Sequence, residues 1–179
     1  MKNIVIIVMA VICFTACQPN EKRYTQQSPE IEIVKKHIEN YNTKNYDISI
    51  MADTAKSFFN NSKNPILRKD LIAYHKENDK IYSSRGFTGE DPEYEMVVTD
   101  EGKTWVNCWL DWKCVMKGNG KEIEIPIHLT YQFIDGKIVR EVGMWNSTEI
   151  VLNLQEIEAT KQKLTEDEEE SDALEEPSL

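Results

Sequence analysis

Two dipeptides, Asn119-Gly120 and Asp135-Gly136, separate three long stretches in which apolar and polar residues alternate. Such pairs readily adopt the left-handed backbone of a tight hairpin, and alternation at period two turns one side of each strand toward a core. Thr104–Met116, Ile123–Ile134 and Ile138–Trp145 are therefore expected to form an antiparallel meander. Upstream, Tyr94, Met96 and Val98 alternate with polar neighbours, and Asp100-Glu101-Gly102 turns the chain into the meander.

The chain before residue 80 reads differently. Ser28-Pro29 is a helix entry, with Ser at the N-cap and Pro at the first helical position. Ile31, Val34, Ile38 and Tyr41 follow at helical spacing, which predicts an amphipathic helix over 29–43. A shorter helix is expected over 46–53, with Ile48 and Met51 inward, then a short strand over Ala55–Phe59. Asn64-Pro65 opens a third predicted helix carrying Leu67, Leu71 and Tyr74. Helices first and a meander afterwards indicate an α+β domain, its N-terminal helices packed on one face of a curved, mostly antiparallel sheet.

If each turn is a two-residue loop, the register of the meander follows. Val106, Cys108, Leu110, Trp112, Cys114 and Met116 then share a face with the odd-numbered residues of Ile123–Phe133, and the third strand adds Ile138, Arg140, Val142 and Met144. This nearly all-apolar face should meet the helices, with Trp112, Tyr131 and Leu129 as the expected pocket lining. The other face carries Trp105, Asn107, Trp109, Asp111, Thr130 and His128, with Glu141 and Trp145 beyond. Trp105 and Trp109 there would mark a homodimer contact.

That register makes Asp111 and His128 direct cross-strand neighbours, the one carboxylate–imidazole pairing available for general acid–base work. An exposed ion pair of ordinary value is the alternative. Cys108 and Cys114 lie six residues apart on one strand, about 20 Å at strand rise, too far for a disulfide; buried free thiols are expected. His37, His75 and His128 are scattered without ligand spacing, and no Gly-rich phosphate loop exists, so neither metal nor cofactor is expected.

Two helices, a third helix and long strands ending in Tyr131-Gln-Phe-Ile-Asp-Gly-Lys-Ile-Val139 and Gly143-Met-Trp-Asn146 resemble the nuclear-transport-factor-2-like superfamily, within it the SnoaL-like proteins and ketosteroid isomerase. Met51-Ala52-Asp53-Thr54-Ala55 is similar to the segment leaving the second helix there. The resemblance implies a cone-shaped fold whose sheet wraps a helix around an apolar pocket, with Trp145 as a pocket aromatic and dimerisation through the other sheet face. An isomerase needs a carboxylate base and an oxyanion hole of a Tyr and a protonated acid. By ungapped comparison those positions fall at Phe59, near Lys35 and Lys36, and at Leu129, so steroid-isomerase chemistry is not expected. A non-catalytic domain binding a small apolar ligand or a partner is expected instead. A SnoaL-like isomerase, cyclase or dehydratase using Asp111 and His128, and a ligand-free homodimeric scaffold, are the alternatives.

The ends carry the remaining information. Lys2 precedes an almost unbroken apolar run from Ile4 to Phe14, too short to span a membrane and laid out like an export signal over 1–16. Phe14-Thr15-Ala16-Cys17 resembles a bacterial lipoprotein box, which would make Cys17 the lipidated N-terminus and place the protein in the cell envelope, anchored to the membrane. An ordinary signal cleaved near Ala16 is the alternative. Residues 17–28 read as the lipidated Cys and its tether, and 29–154 as the domain. Of the formal charge of −10, the domain carries −4, from 16 basic and 20 acidic residues. Residues 155–179 carry −8, from ten acids and two lysines, and read as an acidic disordered tail or a frayed helical extension. This balance argues against nucleic-acid binding, which needs excess Lys and Arg.

Overall fold

The computed structural model describes residues 23–175; the signal segment and Cys17 lie outside them. Eight strands form one sheet: β1 (Tyr24–Thr25), β2 (Met51–Phe59), β3 (Ile66–Leu67), β4 (Tyr82–Phe87), β5 (Glu93–Val98), β6 (Thr104–Met116), β7 (Glu122–Ile134) and β8 (Lys137–Trp145). The described residues also hold three α-helices, α1 (Pro29–Asn42), α2 (Arg68–Asn78) and α3 (Thr148–Glu175). The sheet order is β1-β5-β6-β7-β8-β2-β3, with β4 beside β5 along the same edge of β6. All pairings are antiparallel except β2 with β8. The fold is α+β, with helices on a mixed, mostly antiparallel sheet, as the sequence predicts.

The meander forms where expected, but the register departs from the simple one at the first turn and again within β8. At the first, Met116 N–H donates to the Lys121 carbonyl at 2.8 Å, leaving a four-residue loop in which Gly120 takes φ +74°. Pairing therefore slips by two, and Asp111 faces Pro126 while His128 faces Trp109. A slip of two returns every side chain to its own face. Val106 through Met116 and Ile123 through Phe133 are accordingly buried as alternating sets. At the second turn Asp135 and Gly136 have φ of 50° and 71°, the two-residue hairpin predicted, and Ile134 pairs with Lys137.

Beyond that turn the ladder jumps from Phe133↔Ile138 to Gln132↔Arg140, so Val139 is an extra residue. This bulge reverses the facing of the rest of β8. Ile138 points inward as expected, but Glu141, Gly143 and Trp145 replace Arg140, Val142 and Met144 on the inner face. Arg140 and Met144 are exposed, and Glu141 is 4% exposed.

Ser28 caps α1 as the sequence implies, its hydroxyl accepting from Ile31 N–H at 3.2 Å, and Ile31, Val34 and Ile38 are buried. The helix expected over 46–53 does not form. Asp47 instead accepts from Ser49 N–H at 2.8 Å, a side-chain turn that competes with helix, and Met51 begins β2. Met51 is nonetheless buried, through strand alternation. The third helix starts at Arg68, not at Pro65, because Ile66–Leu67 first pairs with Ser57 and Lys56 on β2.

Tyr24 and Thr25, assigned to the tether, pair with Val97 and Met96 at the sheet edge. The stretch from 155, read as a disordered tail or a helical extension, continues α3 without a break to Glu175. Its Glu, Lys, Gln, Ala and Leu residues are strong helix formers, and Thr160 and Thr165 hydroxyls donate back to the carbonyls of Glu156 and Lys161. Ile150, Leu154 and Ile157 pack the first turns of α3 against the core. Cys108 and Cys114 are buried and unbridged.

Candidate functional site

Between α1, α2 and the inner face of the sheet lies a cavity of about 300 Å³. Trp112, Leu129, Tyr131 and Trp145, the four residues singled out as pocket lining, all border it. Trp145 does so only because the Val139 bulge turns it inward. Phe59 and Leu129, which ungapped comparison sets at the isomerase base and acid positions, border it too without supplying an acid. Lys35 and Lys36 instead pair with Glu32 and Glu39, at 2.8 Å each, on exposed parts of α1.

Much of the lining is aromatic. Ring centroids of Phe59 stand 5.8 Å from Trp145 and 5.5 Å from Tyr74, and His75 stands 5.4 Å from Tyr74 and 5.5 Å from Tyr41. Trp112 Nε1–H donates to the Tyr41 hydroxyl at 3.1 Å, which fixes both rings. Gly143 provides room: a Cβ there would come within 2.8 Å of Trp145 and 3.0 Å of both Leu129 and Phe59.

One carboxylate interrupts the apolar inner face. Parallel pairing sets Glu141 of β8 level with Ser57 of β2, and Ser57 Oγ–H donates to Glu141 Oε2 at 2.7 Å. Glu141 Oε1 has the His37 ring 3.7 Å away, beyond hydrogen-bond length, on the α1 turn above. The hydroxyl of Tyr131 and Nδ1 of His37 are buried with no hydrogen-bond partner. Burial pushes the Glu141 carboxyl up, but His37, Ser57 and His75 together outweigh it, so Glu141 is held ionised below the usual glutamate range. Burial drives His75 the other way, down to about 4, against the pull of Glu141, so its ring is neutral near pH 7.

A second charged cluster backs the wall behind Tyr41, Tyr46 and Asp79. Arg85 Nε–H donates to Asp79 Oδ1 at 2.7 Å, while its other nitrogens donate to the Tyr46 hydroxyl and the Tyr41 carbonyl. The guanidinium carbon lies 3.7 Å from the Tyr41 ring centroid. Tyr46 also bonds Asp79 and is pushed up to about 12, first by burial and then by that carboxylate. Asp79 and Arg85 satisfy one another.

Asp111 and His128 are not brought together. Asp111 sits opposite Pro126, and the His128 ring stacks on Trp109 at 5.0 Å with 20° between planes, on the outer sheet face. The acid–base pair predicted there does not exist, because the four-residue loop displaces the register. The sequence reading missed Glu141, His37 and Ser57. His37 follows Val34 by three residues and precedes Tyr41 by four, so helical spacing could have placed it on the buried stripe. Nothing in the sequence announced the bulge that turns Glu141 inward. Among the described residues no group of His, Cys, Asp and Glu could hold a metal ion.

No family model and no curated protein matches this chain. Solved structures do match it. A candidate polyketide cyclase from Xanthomonas campestris superposes with TM-score 0.59 at 17% identity, over 72% of this chain and 98% of that one. An NTF2-like protein of unknown function from Burkholderia pseudomallei gives 0.56 at 10% identity, over 70% and 96%. A candidate SnoaL-like polyketide cyclase from Jannaschia sp. CCS1 gives 0.53 at 15% identity, over 75% and 94%. The chain thus carries a SnoaL-like, NTF2-like fold, and identities this low speak for the fold alone.

Proposed function

We propose that this is a lipid-anchored protein of the bacterial envelope whose domain binds a small, largely apolar molecule in the inner cavity. The observation that carries the binding reading is the cavity itself: about 300 Å³, bounded by aromatic rings, with the ionised Glu141 carboxylate on its sheet wall. Small-molecule sites are commonly concave and apolar, with a few placed polar groups, and begin at ~300 Å³. Thermal-shift and native mass-spectrometric screening of the protein against envelope lipids and small hydrophobic compounds tests it. A stabilising ligand lost in a Leu129→Trp variant is the expected result; no ligand at all, or a crystal structure with the cavity filled by side chains, contradicts it. Anchoring through Cys17 rests on the lipobox-like Phe14–Cys17 and predicts incorporation of a labelled fatty acid that Cys17→Ala abolishes.

A second reading is favoured by one arrangement, the ionised Glu141 beside the His37 ring and the unpartnered Tyr131 hydroxyl. A carboxylate base and a hydroxyl donor at an apolar cavity suit proton transfer on a carbonyl compound. Isotope exchange into small ketones, abolished by Glu141→Gln, would support catalysis. The outer sheet face, where Trp109 and Met144 are exposed, is where a second copy would dock, and a monomer by light scattering at micromolar concentration counts against that.

A further inference from the structure

The charge around the cavity is one-sided. The charged side chains bordering it are Glu141, Asp79 and Asp47, and no lysine or arginine borders it among the described residues. Asp79 already has its cation in Arg85, and Asp47 is exposed. Glu141 has none. Ser57 takes one of its oxygens, His37 Nε2 stands 3.7 Å from the other, and the Tyr131 hydroxyl lies close by. His75, deeper among the rings, is kept neutral by burial and offers no balancing charge near pH 7.

The walls point the same way. The negative face of an aromatic ring attracts a cation within about 6 Å of its centroid, most strongly where water is excluded. This cluster already does so once, holding the Arg85 guanidinium 3.7 Å over Tyr41. Phe59, Tyr74 and Trp145 continue the aromatic wall. A buried ionised carboxylate beside several rings matches an ammonium group with an apolar body. A neutral hydrocarbon would bring no counter-charge to Glu141, and an anion would be repelled.

We infer that the ligand of the inner cavity is a small organic cation, an ammonium centre on an aromatic or branched apolar body, with Glu141 as its counter-ion. The inference rests on the ligand-binding reading above and sharpens it. His37 Nε2 stands 3.7 Å from the Glu141 oxygen the cation would take, and the test is run at pH 8.

The test compares benzyltrimethylammonium with neopentylbenzene, the uncharged compound of the same shape, binding to the full chain by NMR at pH 8. The cation should bind at least about tenfold more tightly, since a desolvated cation–π contact plus a counter-ion supplies that factor or more. Its N-methyl protons should give intermolecular NOEs to the rings of Phe59 and Trp145 in the unaltered protein, which reads the site without any variant. Glu141→Gln, isosteric and still able to bond Ser57, should reduce the preference to about threefold or less. Equal binding, or tighter binding of the neutral compound, overturns the cation inference and leaves the cavity reading standing. Binding of neither compound overturns both. A preference undiminished in a folded Glu141→Gln variant, or NOEs confined to Trp105 and Trp109, overturns the assignment of Glu141.

Discussion

Two carboxylates, Asp79 and Glu141, lie on the walls of one cavity and are treated in opposite ways. Asp79 is closed: Arg85 and Tyr46 bond it, and the Arg85 side chain is 1% exposed. Glu141 is open: a serine hydroxyl, an imidazole at 3.7 Å and the nearby Tyr131 hydroxyl are its company, with no Lys or Arg among the described residues, and it stays ionised. The first cluster ties α1, the 3-10 turn Asp79–Ile81 and β4 together; the second presents charge to a space. A buried pair contributes mainly by not being broken, whereas a buried charge without a fixed partner is a place for one to arrive.

Removing a partner from the closed cluster should have the largest effect. Asp79→Ala leaves the Arg85 charge buried without its carboxylate, and should lower unfolding free energy in urea by about 3–5 kcal/mol. A loss under about 1 kcal/mol would mean that the Tyr46 and Tyr41 contacts alone hold Arg85, and the contrast would fail.

His75 lies between the two clusters and gives the next largest effect, through pH. Its folded pKa is about 4 against an ordinary 6.5, so in that window the unfolded chain binds the extra proton. Stability therefore falls as pH drops from 6.5 toward 4, by about 2–3 kcal/mol between pH 7 and 4.5. His75→Phe should flatten most of that slope, measured by urea midpoints at the two pH values. The depressed Glu141 acts in a lower window: its contribution is present above the ordinary glutamate range and is lost below it. A slope unchanged in His75→Phe would assign the titration elsewhere.

How much of this could be read in the sequence depends on what kind of feature carried it. Period-two alternation and the two glycine turns placed β6, β7 and β8 to within a residue or two, because both are local. A slip of two left the faces intact, which is why Trp112, Leu129 and Tyr131 were found. The one-residue bulge at Val139 was invisible, since it lies in how β8 pairs with β7 and not in its own pattern. It hid Glu141, the residue on which the site turns. The lost helix over 46–53 is a related failure: Asp47 offered a turn that propensity alone did not weigh.

Gly143 gives a smaller and sharper test of the open cluster. Gly143→Ala crowds Trp145, Leu129 and Phe59 into the cavity and should cost about 1–2 kcal/mol, while weakening any cavity ligand by more than the stability change alone suggests. Unchanged ligand affinity would place the ligand elsewhere. The smallest effects belong to the outer face. Asp111→Asn and Trp109→Ala should each shift unfolding by less than about 1 kcal/mol, because Asp111 has no His128 to bond and Trp109 is 43% exposed. A large loss of ligand binding in either would move the site to the other side of the sheet.

The four tryptophans divide evenly between the two faces, Trp112 and Trp145 at the cavity and Trp105 and Trp109 outside it. Their four indole N–H signals in a ¹⁵N-labelled protein therefore report the two sides of the sheet at once. On titration with a bound small molecule, the account predicts that the signals of Trp112 and Trp145 shift together and saturate while those of Trp105 and Trp109 stay in place. Movement of the outer pair alone, or of none of the four, would contradict it.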